Sequence, residues 1–416
     1  MGSRVLRGTQ EMTSDKFDII VFGATSFVGE ILCKYMVAEY GVGDEIRWAA
    51  AGRSLEKLDA LKTTLGPSAK NLELIVADAA SEHSLREMAE RADVIISTVG
   101  PYALYGEPLV KVCAETGTDY CDLTGEVQWS RLMGEKYGDT AKKSGARIVH
   151  SCGFDSIPSD LGVHFLQNQA QAKYGTPCTS VKMGVKAMKG GMSGGTVASL
   201  LNVVKEAQDK PELKKELADP YSLCGREHGF TAHQRSVSFA TFDKDFETWV
   251  APFIMAGINT RVVHQSNALS GKAYGEHFCY DEAMFMQGRM QATLASLGMG
   301  AFMGLSAMAP TRALLEKFAL PKPGEGPTPQ QQQNGFFDLR FRGVTEAGEL
   351  MQVKVTGDRD PGYGSTAKML SQAAICLAKD KSETGDEGGF LTPATAMGDA
   401  LIARLTKLAG LTFEVI

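Results

Sequence analysis

Three groups of residues in this sequence could do chemistry together. The first is Gly23-Ala24-Thr25-Ser26-Phe27-Val28-Gly29, where small residues recur at three-residue spacing behind a short apolar run. Glycines at a strand-to-helix turn let backbone N–H groups approach a diphosphate, and the positive end of the helix favours its charge. The second is Arg53-Ser54, a planar guanidinium beside a hydroxyl, which suits a phosphate monoester. The third is the set Tyr102, Tyr105 and Tyr363, phenols that could donate a proton or position a substrate beside a hydride donor.

The elements that must hold the first two groups are legible. Phe17–Phe22 is an apolar, β-branched run with the look of a buried parallel strand, and it breaks at Gly23. Phe27, Val28, Ile31, Leu32, Tyr35 and Met36 then recur at helical spacing. The Gly-x-x-Ser-x-x-Gly spacing departs from the GxGxxG of NAD enzymes. It resembles the GATGF(T/V)G turn of NADP-binding Rossmann domains, with Ser26 in place of the middle glycine, offering a hydroxyl and an N–H to phosphate. The next strand, Arg47–Ala51, speaks to cofactor type. NAD enzymes place an acid about 20 residues past the turn for the ribose 2′-hydroxyl. Here Gly52-Arg53-Ser54 stands there, with no acid before Glu56, which favours NADP(H). The plainer alternative is a surface arginine and a serine capping the helix Leu55–Leu65.

Further strands are predicted at Leu72–Val76, Val94–Val99, Asp119–Leu123 and Arg147–Ser151, with helices between them. Asp78 follows the third strand and could meet the adenine amino group or cap a helix over Ser84–Arg91. After the fourth strand, Ser97–Gly100 is small enough for close cofactor approach, which makes Val99, Gly100 and Pro101 candidate contacts. Tyr102 and Tyr105 then fall near the nicotinamide. Neither has the Tyr-x-x-x-Lys spacing of short-chain dehydrogenases, since Gly106 and Leu109 occupy the fourth positions on. In Gly153–Asp160, Asp155 could contact cofactor or substrate. Equally, Ser159 could cap the helix Leu161–Tyr174, with Asp160 favoured at its positive end. The alternation implies an α/β fold with a doubly wound, Rossmann-type parallel sheet over residues 16–158.

Four stretches in order, GATSFVG, AGRSLEKL, VGPYALYGEPLVKVCAETGTDYCDLTGE and HSCGFDSIPSDLG, resemble the saccharopine dehydrogenase-like oxidoreductase family across most of residues 17–165. That family includes vertebrate saccharopine dehydrogenase-like proteins and bacterial trans-acting enoyl reductases. Trp249–Leu269 and Tyr274–Phe285 look like the corresponding segments of the second branch. The resemblance implies an NADPH-dependent reductase acting on the C=C bond of a hydrophobic acyl or polyketide-type thioester. Two rivals remain open. One is a C–N dehydrogenase acting on an amino-acid conjugate, for which the second half offers few clustered cations. The other is a cofactor-binding, lipid-associated protein with little catalysis.

At 416 residues the chain suggests more than one domain. We expect a second, α+β substrate and dimerisation domain over 159–357, and C-terminal helices over 358–416 packing back on the first, as members of the family usually arrange them. Val181–Ala187 alternates as a strand, and Met188–Gly195 is a glycine-rich loop that could hold an anion or serve as a lid. Arg261 could meet an acidic substrate group or form a structural ion pair. Met290–Thr311 carries no charge over 22 residues. A buried or dimer-packing helix is favoured there, ahead of a membrane-surface or acyl-binding element and then a spanning helix. Pro321–Gly335 reads as a flexible linker, and Phe336–Arg342 with Leu350–Thr356 as a hairpin. Residues 1–15 read as a disordered leader.

Bulk properties exclude some classes. Lys and Arg number 43 against 49 Asp and Glu, net −6, with no polybasic block, so nucleic acid is not an expected partner. Eight cysteines without a CxxC point to free thiols in the cytoplasm, with membrane association through 290–311 an open addition. Seven histidines without a close pair make a metal site unexpected. A homodimer is the expected assembly.

Overall fold

The computed structural model describes residues 16–43, 45–191, 194–318, 325–381 and 387–416; the expected leader lies outside them, as do residues 192–193 of the glycine-rich loop and 321–324 of the expected linker. The first strands are β1 (Phe17–Phe22), β2 (Trp48–Gly52), β3 (Glu73–Val76), β4 (Ala92–Ser97), β5 (Asp119–Asp122) and β6 (Arg147–Val149). They pair in parallel in the order β3-β2-β1-β4-β5-β6, so the strand order reverses beside β1. That reversal opens a crevice at the carboxyl ends of β1 and β4, the usual ligand seat of such sheets.

Side-chain alternation sorts the core to two faces. Ile19 and Val21 of β1, with Val94 and Ile96 of β4, pack among Leu32, Cys33 and Met36 of the helix Phe27–Tyr40. Ile20, Phe22 and Ile95 point the other way, toward Leu85, Leu109, Val112 and Met133 of the covering helices. Both faces are therefore apolar and both are covered, as a parallel sheet requires.

A second sheet follows from β7 (Cys178–Lys189), β8 (Thr241–Asp243), β9 (Thr248–Pro252), β10 (Cys279–Met286), β11 (Phe336–Thr345) and β12 (Leu350–Gly357). All its pairs are antiparallel except β7 with β10. The helix Ile157–Tyr174 lies against it, and its Leu161 and Leu166 share one cluster with Met183, Leu339, Phe341 and Val353. Because that cluster also contains Ile19 and Val21, the two sheets share a continuous core.

The C-terminal region serves both sheets. The helix Thr366–Lys379 covers the Val21 face of the first sheet, and its Gln372 amide donates to the hydroxyls of Tyr35 and Tyr40 (2.6 Å each). Then β13 (Gly389–Leu391) pairs with β6 as a seventh parallel strand. The last strand, β14 (Leu411–Val415), leaves that region and pairs with β12 in the second sheet.

Two expectations change here. Within the span read as a linker, Pro329–Gln333 forms a helical turn with a Thr328–Gln331 capping box. The uncharged stretch is not a buried helix of this chain. It forms the helix Arg289–Ala307, in which only Ala292, Ser296 and Ser306 are buried, and Met290 is 78% and Leu294 63% exposed. A methyl at Gly298, Gly300 or Gly304 would meet nothing within 4 Å among the described residues, so no described helix packs closely there. The chain bends by 113° between this helix and the next, and among the described residues no single helix is long and apolar enough to cross a membrane.

Candidate functional site

The turn after β1 is fixed by contacts that leave no room for side chains. Gly23 has φ +86°, and a methyl there would lie 2.6 Å from Thr98 Oγ1 and 2.8 Å from Val99 Cγ2. A methyl at Gly29 would overlap the carbonyl oxygen of Gly23. Thr98 locks the turn from β4: its hydroxyl donates to Gly23 O (2.9 Å) and lies 2.9 Å from Ser26 Oγ. Ser26 is the helix N-cap, accepting from Gly29 N at 3.0 Å, while its own N–H donates to Gly23 O at 2.8 Å. Its hydroxyl and N–H are thus spent on the turn and do not serve phosphate, as the sequence reading had allowed. Ala24 is buried and Thr25 half-buried. The phosphate donors this geometry leaves are the N–H groups of Phe27 and Val28, at the start of the helix and ahead of its first internal bonds.

At the end of β2, Arg53 is exposed and makes no hydrogen bond or ion pair within the described residues. A guanidinium standing unpaired at this corner suits a 2′-phosphate. Ser54 also caps its helix, accepting from Lys57 N at 3.3 Å. Past β3, exposed Asp78 accepts from Ala80 N at 3.0 Å; the helix there is Glu82–Ala89 and its cap is Ser81, not Asp78. These residues fit an NADP-type dinucleotide lying from β3 across β1.

The tyrosines divide. Tyr102 is only 4% exposed; its hydroxyl donates to Ser97 O at 2.9 Å, and burial, then the Asp122 charge, push its pKa well up. It is a wall of the crevice and not an available proton donor. Tyr105, on the same short helix, is 50% exposed. Tyr363 is 2% exposed and sets its ring edge-on to Phe27, with centroids 5.2 Å apart. It backs the dinucleotide turn and is not presented to a substrate.

Half-buried Val99, exposed Gly100 and half-buried Pro101 line the β4 end of the crevice. Behind them, buried Glu126 accepts from Tyr102 N (2.8 Å), Ala103 N (2.9 Å) and the Ser199 hydroxyl (2.9 Å). Desolvation raises its pKa against those three donors. Asp122, at the end of β5, is saturated: His150 Nδ1 (2.7 Å), Tyr120 OH (3.0 Å), Thr124 N (3.0 Å) and Ser151 N (3.1 Å) all meet it. Asp155, half-buried beyond β6, has no such shell.

A third wall comes from far along the chain. Asp360 caps the turn Pro361–Ser365 by accepting from Gly364 N (2.8 Å) and Tyr363 N (3.0 Å), which holds Tyr363 against Phe27. Gly190 lies under Pro361, Gly362 under Gly191, and Gly326 against the Phe27 ring. The glycine-rich loop, the expected linker and the Pro361 turn therefore converge on the dinucleotide turn.

Residues 19–149 match the saccharopine dehydrogenase NADP binding domain. A Mycobacterium bovis protein named trans-acting enoyl reductase is 38% identical over 404 residues, covering 94% of this chain and 96% of its own. The Mycobacterium ulcerans protein of that name is 37% identical over 410 residues, covering 94% and 96%. A Mycobacterium tuberculosis protein, which carries the name provisionally, reaches 40% over 414 residues, covering 97% and 98%. The chain belongs to the trans-acting enoyl reductase family. Saccharopine dehydrogenase (L-Glu forming) from Saccharomyces cerevisiae aligns at 14% identity over 96% of this chain and 100% of its own, with a TM-score of 0.48.

In this trans-acting enoyl reductase family member, other candidate polar groups turn out to be structural. Arg261 donates to Leu217 O at 2.7 Å and to Thr260 Oγ1 at 3.1 Å, and it forms no ion pair among the described residues. Asp160 accepts from the Ser266 hydroxyl and from Ala394 N (2.8 Å), and Ser159 lies inside the helix and not at its cap. Asn259 bridges Ser156 (3.1 Å) and Glu282 (2.9 Å). Sequence reading missed Glu126 and Asp360 as organisers. For Asp360 the available signal was an acid directly before a predicted turn, which is how carboxylates cap backbone N–H groups. Glu126 had no such signal, because it makes no cap bond on the helix that follows it and accepts instead from Tyr102 and Ala103, far back in the chain.

Proposed function

We propose that the chain is an NADPH-dependent enoyl reductase that saturates the C=C bond of a hydrophobic acyl thioester presented by a separate carrier. One observation carries the substrate class. The strand-end segments 97–105, 122–126 and 151–155 that surround the reaction end of the crevice contain no Lys or Arg. A saccharopine-type amino-acid conjugate needs cations for its carboxylates, whereas an enoyl thioester needs an apolar slot and a proton source. Bound NADPH would supply the hydride to the β-carbon. The protein would supply Phe27 and Val28 N–H groups for the diphosphate, Arg53 for the 2′-phosphate, and Val99–Pro101 as the surface that places the nicotinamide. The test is NADPH oxidation with 2-enoyl thioesters of increasing chain length, against NADP⁺ reduction with saccharopine-type amines. Turnover only on the amines would reject the reading.

We also infer that a second copy covers the exposed apolar face of the helix Arg289–Ala307, giving a homodimer. Met290, Leu294, Leu297, Leu305 and Met308 support this, as apolar side chains exposed in succession along the helix and its end. A membrane surface is the competing occupant.

A further inference from the structure

The acids near the crevice differ in one respect. Asp122 takes four hydrogen bonds, Glu126 three, and Asp360, Asp160 and Glu282 are each held by neighbouring donors. Among the described residues, Asp155 bonds only its own backbone N–H. Its carboxyl stands over two glycines, about where methyls at Gly125 and Gly153 would touch it, 4.0 Å from Oδ1 and 3.4 Å from Oδ2. Both neighbours lack the side chain that would cover it, and Gly125 is exposed. The loop that carries it is pinned, with Phe154 N donating to Thr366 Oγ1 at 2.9 Å. Here is a carboxyl that is held in place, left without side-chain partners among the described residues, and set at the ends of β5 and β6 beside the crevice.

We propose that Asp155 is the general acid of the reaction, delivering the proton to the α-carbon of the substrate. This rests on the enoyl reductase reading. Hydride addition at the β-carbon breaks the C=C π bond and leaves its electron pair shared between the α-carbon and the thioester oxygen. The Asp155 carboxyl O–H breaks as the α-C–H bond forms, and the carboxylate regains a proton from water. The groups facing Asp155 suit that task. Asp122 adds negative charge from β5, the Tyr102 phenol stays neutral beside β4, and Thr366 from the C-terminal helix brings none. Desolvation, with a smaller push from Asp122, raises the Asp155 pKa to about 7, so the acid form persists near neutral pH.

The experiment compares wild type with Asp155→Asn. We expect turnover at saturating NADPH to fall about 100-fold or more, NADPH affinity to hold within about twofold, and melting temperature to hold, because no described side chain bonds Asp155. Wild-type kcat/KM should fall as pH rises through about 7, and the variant should lose that limb. In the cofactor-free protein, the ¹³C carboxyl resonance absent from the variant should titrate near the same pH. A titration midpoint in the ordinary carboxylate range overturns the assignment. So does a variant with wild-type turnover, or one whose turnover recovers once weakened NADPH binding is saturated, which makes Asp155 a cofactor contact. No oxidation by wild type on any enoyl thioester overturns the proposed function and this role together. Wild-type turnover with an equally active variant overturns the role alone.

Discussion

Arg53→Ala isolates one interaction with little collateral damage. Arg53 is exposed and bonds nothing in the described chain, so its removal should leave the fold and melting temperature unchanged. The adjacent cap, Ser54 to Lys57 N, remains. NADPH and NADH differ only at the 2′-phosphate, so the diphosphate contacts at Phe27 and Val28 cancel in their ratio. A hydrogen bond to a charged group contributes roughly 1.5–3 kcal/mol. Solvent exposure at this corner argues for the lower half, or about 10–40-fold in the NADPH Kd. Titration calorimetry with both cofactors measures the ratio directly. NADPH affinity should fall by that factor while NADH affinity stays within about twofold, and raising salt should shrink the wild-type preference. Equal losses for both cofactors, or none, would refute the 2′-phosphate assignment.

Gly29→Ala forces a methyl against the Gly23 carbonyl; we expect roughly 1–3 kcal/mol of destabilisation in urea unfolding and a large loss of affinity for both cofactors. Unchanged binding would remove the turn from the site. Glu282 is buried, and desolvation raises its folded pKa from 4.5 to about 7. Below the lower value both states are protonated. As pH rises between the two values the unfolded chain ionises first, so the native state loses stability, and the full penalty stands above about 7. Glu282→Gln should therefore flatten the fall in melting temperature between about pH 5 and 8, and a curve parallel to wild type would contradict this. Replacing Leu294 and Leu297 by Glu should leave the monomer fold intact, since both are exposed, and abolish dimers in sedimentation velocity. Intact dimers with lost vesicle binding would assign the face to membrane instead.

The first sheet was legible because most of its first six strands are short apolar runs bounded by a turn and followed by a helix-period stretch; β5, Asp-Tyr-Cys-Asp, was placed by its position in that alternation. Local pattern alone carries that information. β13 was not, since Gly389–Leu391 is three residues long and joins the sheet through tertiary pairing with β6. Glycine positions in the dinucleotide turn were readable, but Ser26's role was not, because the hydroxyl's fate depends on Thr98 across the sheet. Tyr102 and Tyr363 were misjudged for a related reason. Residue type reveals that a phenol can donate a proton, whereas only packing reveals whether it faces a crevice or Trp129 and Phe27. The uncharged helix shows the reverse: its composition fitted a buried or a dimer-packing helix equally, and only the structure shows that its fully buried residues are the small Ala292, Ser296 and Ser306 while Met290, Leu294 and Leu297 are exposed.

The pairing of β13 with β6 has a consequence for how the protein is made. The six strands that carry the cofactor turn leave the ribosome within the first 149 residues, but the strand that closes their open edge lies at 389–391. The helix that covers the Val21 face, Thr366–Lys379, is equally late. For most of translation the nascent sheet therefore exposes an unpaired edge at β6 and an apolar face that the helix Phe27–Tyr40 covers only in part, the two features that invite wrong pairing between chains. Messages truncated before residue 366 should yield insoluble product even though the candidate cofactor contacts from Gly23 to Pro101 are all present, and holdase chaperones should be found on ribosomes carrying chains of intermediate length.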